Sequence, residues 1–431
     1  PEFDRWYPTN TLVTGFDIIF FWVARMTMMA AVFTDRMPFH DVYIHGLVRD
    51  EQNRKMSKSA GNGIDPLLLI DRYGTDALRF ALVREVAGAG QDIRLDYDRK
   101  KDTSLTVEAS RNFANKLWNA ARFALMNSAI PIQGRVENLD KLNLKLADHW
   151  ILSRLARVNR ETEHRYKTYG LGEAAKGLYE FAWNDFCDWY LEFIKRRLNV
   201  GESSENLDLI DKEIAQKVMF KVLTELLVML HPLMPHLTEE LWHGITGISS
   251  SEFLALQSWP AIEENHLDAG LEESFSQLFE SIRLIRNLRA EAGLKPSQIV
   301  PVRLITSKKS FIAILQNCQD DIQSLTRAEQ VEILTPQEAK TKPAVKALAG
   351  VIGELEVVLP IEGLVDMDAL YVRLEKDLTK AEKEIDTLSS RLANDNFIQK
   401  APLEVVSECK AKLSEAMSQA ELVRKRLLGL K

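Results

Sequence analysis

The end of the chain most constrains its fold, because it carries an apolar repeat with alternating four- and three-residue steps. The repeat begins at Met367, breaks at Asn394-Asp395-Asn396, and resumes after Ala401-Pro402. Such spacing predicts helices that pack along a coiled-coil seam. Proline is tolerated in the first turn of the second helix, where its missing N–H has no intrahelical partner. We predict an antiparallel hairpin of two arms. A dimerising coil is the alternative, but the central break favours folding back.

The predicted seam contains alanine at several positions, which lets two helices approach closely. The seam positions are Met367, Tyr371, Leu374, Leu378, Ala381, Ile385, Leu388, Leu392, Cys409, Leu413, Ala416, Ala420, Val423, Leu427 and Leu430.

The opening residues alternate between strand-like and helix-like segments. Tyr7–Thr14 is rich in β-formers, Phe16–Met29 is apolar on nearly every face, and Asp41–Val48 is again strand-like. This order predicts a βαβ unit from a doubly wound, Rossmann-like nucleotide-binding sheet, with the intervening helix buried. Ligands of such sheets bind beyond the carboxyl ends of the strands. Gly15 and the loop after Val48 are therefore expected to face one site.

That loop contains Lys55-Met56-Ser57-Lys58-Ser59, between the strand and a predicted helix at Leu67–Tyr73. Backbone N–H groups and a helix N-terminus favour anions, and the two lysines add full positive charge. Both serine hydroxyls are possible hydrogen-bond donors to phosphate oxygens. Without its context, the same loop is an ordinary solvated turn. We call residues 55–59 the lysine loop.

The lysine loop resembles the second signature of the class I aminoacyl-tRNA synthetases. Two flanking segments, Gly15–Met26 and Ile70–Phe80, are similar to those of bacterial-type valyl-tRNA synthetases, and the resemblance runs along the whole chain. It implies ATP-dependent activation of valine to valyl-adenylate, with Mg²⁺ accompanying ATP, and transfer to tRNA(Val). Lys55 and Lys58 are then the catalytic residues, which stabilise charge on the leaving pyrophosphate.

The resemblance also implies a set of binding residues. Those implied for ATP are Gly15, Asp17, His45, Gly46, Lys55, Met56, Ser57, Lys58 and Ser59. Trp22 is implied to line the amino-acid pocket. From the residues alone, a helix N-cap is the more ordinary role for Asp17, and core packing is the more ordinary role for Trp22.

The middle of the chain has the periodicity of a helical bundle. The predicted helices are Ser104–Asn127, Ala147–Tyr169, Gly172–Leu198, Asp208–Leu230 and Pro235–Trp242. Segments Arg111–Asn119, Trp183–Tyr190 and His231–Trp242 resemble the anticodon-binding bundle of the valine, isoleucine and leucine enzymes.

Two groups of cations are candidates for contact with tRNA phosphates. Arg283, Arg286 and Arg289 recur every three residues along one helix. Lys195 and Arg196 belong to a basic helix end, for which a solvated surface is an equally good interpretation.

A metal site is weakly indicated by His231, His236 and His243. Prolines separate the first two, and no carboxylate or cysteine follows at ligand spacing, so we expect no protein-bound metal.

Four domains are predicted. They are the closing part of the catalytic domain at 1–103, the helical bundle at 104–297, a small α/β module at 298–365 and the coiled-coil tRNA-binding arm at 366–431. The module is predicted to contain four short strands and a helix at Ser310–Leu325. Overall, the sequence indicates a mixed α/β and all-α fold.

Bulk properties bound the function only loosely. The net charge of −7 is a mild argument against a nucleic-acid partner. Three distant cysteines indicate no disulfide framework and favour a reducing, cytoplasmic location. The strongly apolar Ile18–Val23 is too short to span a membrane, and no membrane association is expected. A monomer is expected.

The chain lacks the His-x-Gly-His string of class I enzymes, so we interpret it as the C-terminal part of a longer enzyme, inactive alone and without the editing domain. Two alternatives stay open. One is a non-catalytic tRNA-binding protein, and the other is a related isoleucyl or leucyl enzyme.

Overall fold

The structure is a computed structural model that describes residues 2–57, 59–86, 90–127, 139–200, 206–249, 251–343, 345–394 and 403–429. It divides into two compact units, Pro1–Ala269 and Gly270–Lys431. Some predictions fall outside the described residues, namely those for Lys58, for Leu430 and for most of the turn between the two arms.

The first unit opens with the predicted βαβ arrangement. Its first elements are α1 (Glu2–Trp6), β1 (Thr9–Gly15), α2 (Ala24–Thr34), β2 (Phe39–His45), β3 (Val48–Arg49), α3 (Pro66–Tyr73), α4 (Thr75–Arg84), β4 (Ile93–Arg94), β5 (Tyr97–Asp98) and β6 (Thr103–Ser104). Strands β1 and β2 are parallel, as are β3 and β4. The single strand predicted at Asp41–Val48 is wrong in its extent, because β2 ends at His45 and β3 begins at Val48.

The helical stretch Phe16–Thr34 is not buried, contrary to the sequence prediction. It combines a 3-10 turn at Phe16–Ile18, a π-helical turn at Ile19–Val23 and α2. Only Ala30 of this fully described stretch is buried, and Phe20 is 83% exposed. By length and composition, its 19 residues are apolar enough to cross a membrane. The sequence prediction, which considered only Ile18–Val23, was therefore wrong about the length of the apolar run. Few side chains of the described chain pack on it.

The rest of the first unit is a helical bundle with the predicted helices. These are α5 (Leu105–Met126), α6 (Leu146–Lys167), α7 (Leu171–Glu180), α8 (Leu191–Leu198), α9 (Asn206–Leu230) and α10 (Pro235–Thr246). A π-helical segment, Phe181–Tyr190, connects α7 directly to α8. Most of its aromatic side chains face the core, where Phe181, Phe186 and Tyr190 are almost completely buried. The core-packing interpretation of this aromatic segment is therefore confirmed.

A carboxylate on α4 caps the first turn of α10, a helix of the bundle. Asp76 of α4 is buried. Its Oδ2 accepts a hydrogen bond of 2.5 Å from the Leu237 N–H, and its Oδ1 accepts one of 3.4 Å from the His236 N–H. Both N–H groups lie in the first turn of α10, where no carbonyl of the helix itself is available to them. Asp76 therefore caps α10 from a distant part of the chain.

A buried ion network lies inside the bundle. The Asp148 carboxylate on α6 is fully buried and accepts hydrogen bonds of 2.8 Å from the Tyr190 hydroxyl and from Arg197 Nη1. The second terminal guanidinium nitrogen, Arg197 Nη2, lies 2.8 Å from Asp211 Oδ1. Burial by itself lowers the pKa of Arg197, but the attraction of Asp148 raises it above its ordinary value. The network therefore holds full charges in the core.

The second unit contains the predicted four-stranded module. Its elements are α11 (Ala269–Glu291), β7 (Val300–Ile305), α12 (Lys309–Asn317), α13 (Gln319–Thr326), β8 (Ala328–Leu334), α14 (Pro336–Thr341), β9 (Ala347–Ile352) and β10 (Leu355–Pro360). The strand order is β8-β7-β10-β9, with β7 and β8 parallel and the other pairs antiparallel. The helix predicted at Ser310–Leu325 is divided in two at Cys318.

Two long helices, α15 (Met367–Leu392) and α16 (Leu403–Gly429), form the arms. They pack side by side. Glu382 in the second half of α15 pairs with Arg424 of α16 at 2.7 Å. Lys412, earlier in α16, has its pKa raised in part by the charge of Glu384, which comes later in α15 than Glu382. Later positions of α15 therefore meet earlier positions of α16, so the arms run antiparallel. The predicted hairpin is confirmed. Every described seam position is buried or half-buried, and Leu370 and Val406 join the seam without having been predicted.

An alanine at the seam gives a direct test of this packing. Ala420 is 1% exposed, so Ala420→Leu is expected to overpack the seam and destabilise the hairpin by about 1–3 kcal/mol. Ala411 is exposed on the same helix, so Ala411→Leu is the matched control and is expected to have little effect. Amide hydrogen exchange of α15 measures the loss. Equal exchange in the two variants would contradict the seam assignment.

Candidate functional site

The ends of β1 and β2 form one edge, where Gly15 is the register partner of His45. A Cβ at Gly15 would lie 2.8 Å from Asp17 Oδ1, which is tighter than ordinary contact. Glycine therefore lets the Asp17 carboxylate fold back against the end of the strand. The carboxylate of Asp17 and the imidazole of His45 therefore lie beside the ends of these two strands.

The lysine loop reaches this edge. Lys55 Nζ donates a hydrogen bond of 2.8 Å to Asp17 Oδ2. The Lys55 side chain is 60% exposed, and that of Asp17 is 29% exposed. The hydrogen bond from Lys55 lowers the pKa of Asp17 below its usual value. The structure thus brings together two segments that the sequence predicted to face one site.

The N-cap interpretation of Asp17 is wrong in this structure. Gly15 occupies the N-cap position of the following 3-10 turn, without a side-chain cap. The Asp17 carboxylate instead pairs with Lys55. Contact of Asp17 with ATP remains a prediction.

His45 and Gly46 have clear structural roles at the same edge. His45 Nδ1 lies 2.8 Å from the carbonyl oxygen of Gly46, so this nitrogen carries the proton that is donated. A Cβ at Gly46 would overlap the carbonyl of Gln91, so the two backbones can approach only with glycine there. Asp92 Oδ1 then accepts a 2.7 Å hydrogen bond from the Leu47 N–H. Contact of either predicted residue with ATP remains a prediction.

The described remainder of the lysine loop is a polar turn. Ser57 and Ser59 are exposed, and their hydroxyl oxygens are 3.2 Å apart. Ser57 Oγ also accepts a hydrogen bond from the Ala60 N–H at 3.1 Å. Met56 is half-buried. The hydroxyls predicted for phosphate thus lie at the surface, next to one another.

Sequence reasoning missed the residues that hold the base of this loop. Asp50 and Asn62 are both buried and are joined by a hydrogen bond of 2.9 Å. Arg99 donates to the Asn62 carbonyl at 2.6 Å and to Glu51 Oε1 at 2.9 Å. Only burial distinguishes these polar residues from ordinary loop residues. The burial of single loop residues leaves no periodic pattern in the sequence, so no signal was available.

Trp22 lies in the exposed π-helical turn, with 61% of its surface accessible. Core packing of Trp22 is therefore wrong for the described chain. Its place in an amino-acid pocket remains a prediction.

The predicted arginine stripe is divided between surface and interior. Arg283 and Arg286 are exposed, and Arg286 Nε donates to the Leu325 carbonyl at 3.1 Å. Arg289 is only 8% exposed, and its guanidinium donates to the carbonyls of Gln298 and Arg327. Those backbone contacts argue against phosphate binding by Arg289. Contacts of the other two with RNA remain predictions.

The basic end of α8 is also partly structural. Lys195 is exposed and pairs with Glu192. Arg196 is exposed as well, and both residues remain candidates for RNA contact. Arg197 differs, because it belongs to the buried Asp148 network.

Two of the three histidines considered for a metal have other side-chain partners. His231 Nδ1 lies 2.8 Å from Thr238 Oγ1, and His243 Nε2 lies 3.2 Å from Glu239 Oε1. Across the ranges described above, no group of three or more His, Cys, Asp or Glu side chains has an arrangement suited to a metal ion.

Three protein families match consecutive parts of the chain. Residues 1–96 match "tRNA synthetases class I (I, L, M and V)". Residues 148–304 match "Anticodon-binding domain of tRNA ligase". Residues 366–431 match "Valyl tRNA synthetase tRNA binding arm".

Individual relatives match over the whole chain. A valine--tRNA ligase of Prochlorococcus marinus strain NATL2A is 70% identical over 430 residues, and one of strain SARG is 69% identical over 431 residues. One of Thermosynechococcus vestitus is 51% identical over 430 residues. Each alignment covers 100% of this chain and 46% of the relative. The chain thus spans about half the length of these relatives and corresponds to their C-terminal part.

Proposed function

This chain belongs to the valine--tRNA ligase family, and we propose that it supplies part of the ATP site and the tRNA-binding parts of such a ligase. In the full-length protein, valine reacts with ATP to form valyl-adenylate and pyrophosphate, and the valyl group then passes to tRNA(Val). Mg²⁺ accompanies ATP as part of the substrate.

The observation that carries the proposal is the 2.8 Å contact between Lys55 and Asp17. It places a cation of the lysine loop at the shared end of two parallel strands, where nucleotides bind in sheets of this kind. Asp17 is an acceptor suited to ribose hydroxyls, and the ammonium group of Lys55 is suited to phosphate oxygens.

The chemistry proposed for this site is positioning and charge stabilisation. Attack of the valine carboxylate on the α-phosphorus breaks the bond to pyrophosphate, which leaves with additional negative charge. Lys55, together with Lys58, holds that charge as it develops. Trp22 gives an apolar wall to the pocket for the branched side chain of valine.

We propose that the helical bundle and the α15–α16 hairpin hold tRNA(Val). Basic residues on the exposed surfaces, including Lys195, Arg196, Arg283 and Arg286, supply phosphate contacts. The exposed apolar stretch Phe16–Thr34 packs against the remainder of the full-length protein rather than a membrane. We expect that protein to be a cytoplasmic monomer.

The test is ATP–pyrophosphate exchange by the full-length protein with valine, isoleucine, leucine or methionine as substrate. Exchange is expected to be fastest with valine, and the present 431 residues alone are expected to give none. Fastest exchange with isoleucine or leucine would assign the protein to one of those enzymes. Binding of tRNA without any exchange would favour the non-catalytic alternative.

A further inference from the structure

A buried polar pair closes the base of the lysine loop. Asp50 directly follows β3 and is fully buried. Asn62 lies three residues after the lysine loop and is 5% exposed. Asn62 Nδ2 donates to Asp50 Oδ2 at 2.9 Å. The two residues are twelve positions apart, and the exposed part of the loop lies between them. One hydrogen bond therefore joins the segment before the lysine loop to the segment after it.

The Asn62 amide also fixes the backbone that carries Lys55. Its Nδ2 donates a second hydrogen bond, of 3.1 Å, to the Lys55 carbonyl. Its Oδ1 accepts a hydrogen bond of 2.9 Å from the Ser57 N–H. A single side chain thus holds the backbone on both sides of Met56. Because Lys55 begins from this fixed backbone, the direction of its side chain toward Asp17 depends on Asn62.

Asp50 holds the amide in turn, and every described partner of its carboxylate is a donor. Oδ1 accepts from the N–H groups of Gln52 and Arg54 at 3.1 and 2.7 Å, and Oδ2 accepts from Arg54 Nε at 2.8 Å and from Asn62. Burial raises the pKa of Asp50, but the hydrogen bonds from Asn62 and Arg54 outweigh it and lower the pKa to about 2. Asp50 therefore stays ionised and acceptor-only at neutral pH.

We propose that Asp50 and Asn62 are positioning residues for adenylate formation, which hold the lysine loop so that Lys55 reaches the ends of β1 and β2. The inference rests on the proposed function. Neither residue touches the Lys55 ammonium group or Asp17 in the structure, so both act through the backbone of the loop. Valine does not interact with this loop in the proposal, so its binding is independent of the pair.

The experiment uses the full-length protein with Asn62→Ala, Asp50→Ala, the double variant and Asn62→Gln. The rate constant of valine-dependent ATP–pyrophosphate exchange is expected to fall about 10- to 100-fold in each alanine variant, because small misplacement of a charge-stabilising group is costly. The KM for valine is expected to stay within about twofold of wild type. Because the two residues act as one unit, the double variant is expected to be no slower than the slower single variant. Asn62→Gln keeps the amide and is expected to recover part of the rate.

Asp76→Ala is the matched control, because it removes another buried carboxylate of the same unit, one that caps α10 and makes no hydrogen bond to the lysine loop among the described contacts. It is expected to lower the melting temperature without changing the exchange rate measured well below that temperature. Wild-type exchange kinetics in both loop variants would overturn the inference. So would a rate loss that follows the melting temperature equally in Asp50→Ala and Asp76→Ala. Absence of exchange in the wild-type protein would instead overturn the proposed function.

Discussion

Replacing Lys55 by alanine in the full-length protein is expected to slow ATP–pyrophosphate exchange by about 100- to 1,000-fold, the usual cost of removing one charge-stabilising donor. The Lys55 ammonium group lies at the ends of β1 and β2, where it meets Asp17. In the proposed reaction it stabilises the charge of the leaving pyrophosphate more strongly in the transition state than in the ground state. The rate constant should therefore fall, while the KM for valine stays nearly constant.

Lys145→Ala is the control for this experiment. Lys145 and Asp211 form an ion pair of 2.6 Å with side-chain exposures of 59% and 22%, close to the 60% and 29% of Lys55 and Asp17. The control therefore removes an equally exposed Lys–Asp pair that lies in the helical bundle. Its exchange rate is expected to equal that of wild type. Equal rates in both variants would rule out a catalytic role for Lys55. Lys58→Ala, tested alongside, is expected to resemble Lys55→Ala.

Asp148→Ala is expected to destabilise the helical bundle by about 3–5 kcal/mol, because it leaves a buried guanidinium without one of its partners. The substitution removes the acceptor of Tyr190 and of Arg197 Nη1, and Arg197 is only 9% exposed. The contact of Arg197 with Asp211 remains but lies nearer the surface. Urea unfolding followed by tryptophan fluorescence measures the loss, since Trp150 and Trp189 are buried in the same bundle.

Two further variants identify the cause of that loss. Asp188 pairs with Lys116 at the surface and is 45% exposed, so Asp188→Ala is expected to cost less than about 1 kcal/mol. The double variant Asp148→Leu/Arg197→Met removes both buried charges and is expected to be more stable than Asp148→Ala alone. A double variant that is less stable than the single one would show that lost packing, not an unpaired charge, dominates.

Sequence reasoning succeeded where the determining pattern was local. The seam of the α15–α16 hairpin follows from the spacing of its own apolar residues, and a helix needs no other information to place them on one face. The pairing of β1 with β2 followed from the βαβ order. The approach of the segment after β1 to the loop after Val48 was also predicted, because both follow strands whose carboxyl ends were expected at one edge, but the ion pair between Lys55 and Asp17 was not.

The sequence predictions were wrong where the burial of a residue depends on segments far away along the chain. The stretch Phe16–Thr34 has the composition of a buried helix, but composition does not specify which surface covers it. Arg289 continues a regular three-residue spacing, yet it turns inward because the carbonyls of Gln298 and Arg327 lie within its reach. Asp50 and Asn62 are single polar residues in a loop, and their contact depends on how the intervening backbone closes.

The capping of α10 by Asp76 has a consequence for how this chain acquires its structure. The residues that meet there are separated by 160 positions, so the cap can form only after a large loop of chain has closed. Until then, the first N–H groups of α10 must be hydrated. Late docking of α4 would complete both segments in a single cooperative step, and the α/β part and the bundle would then lose structure together.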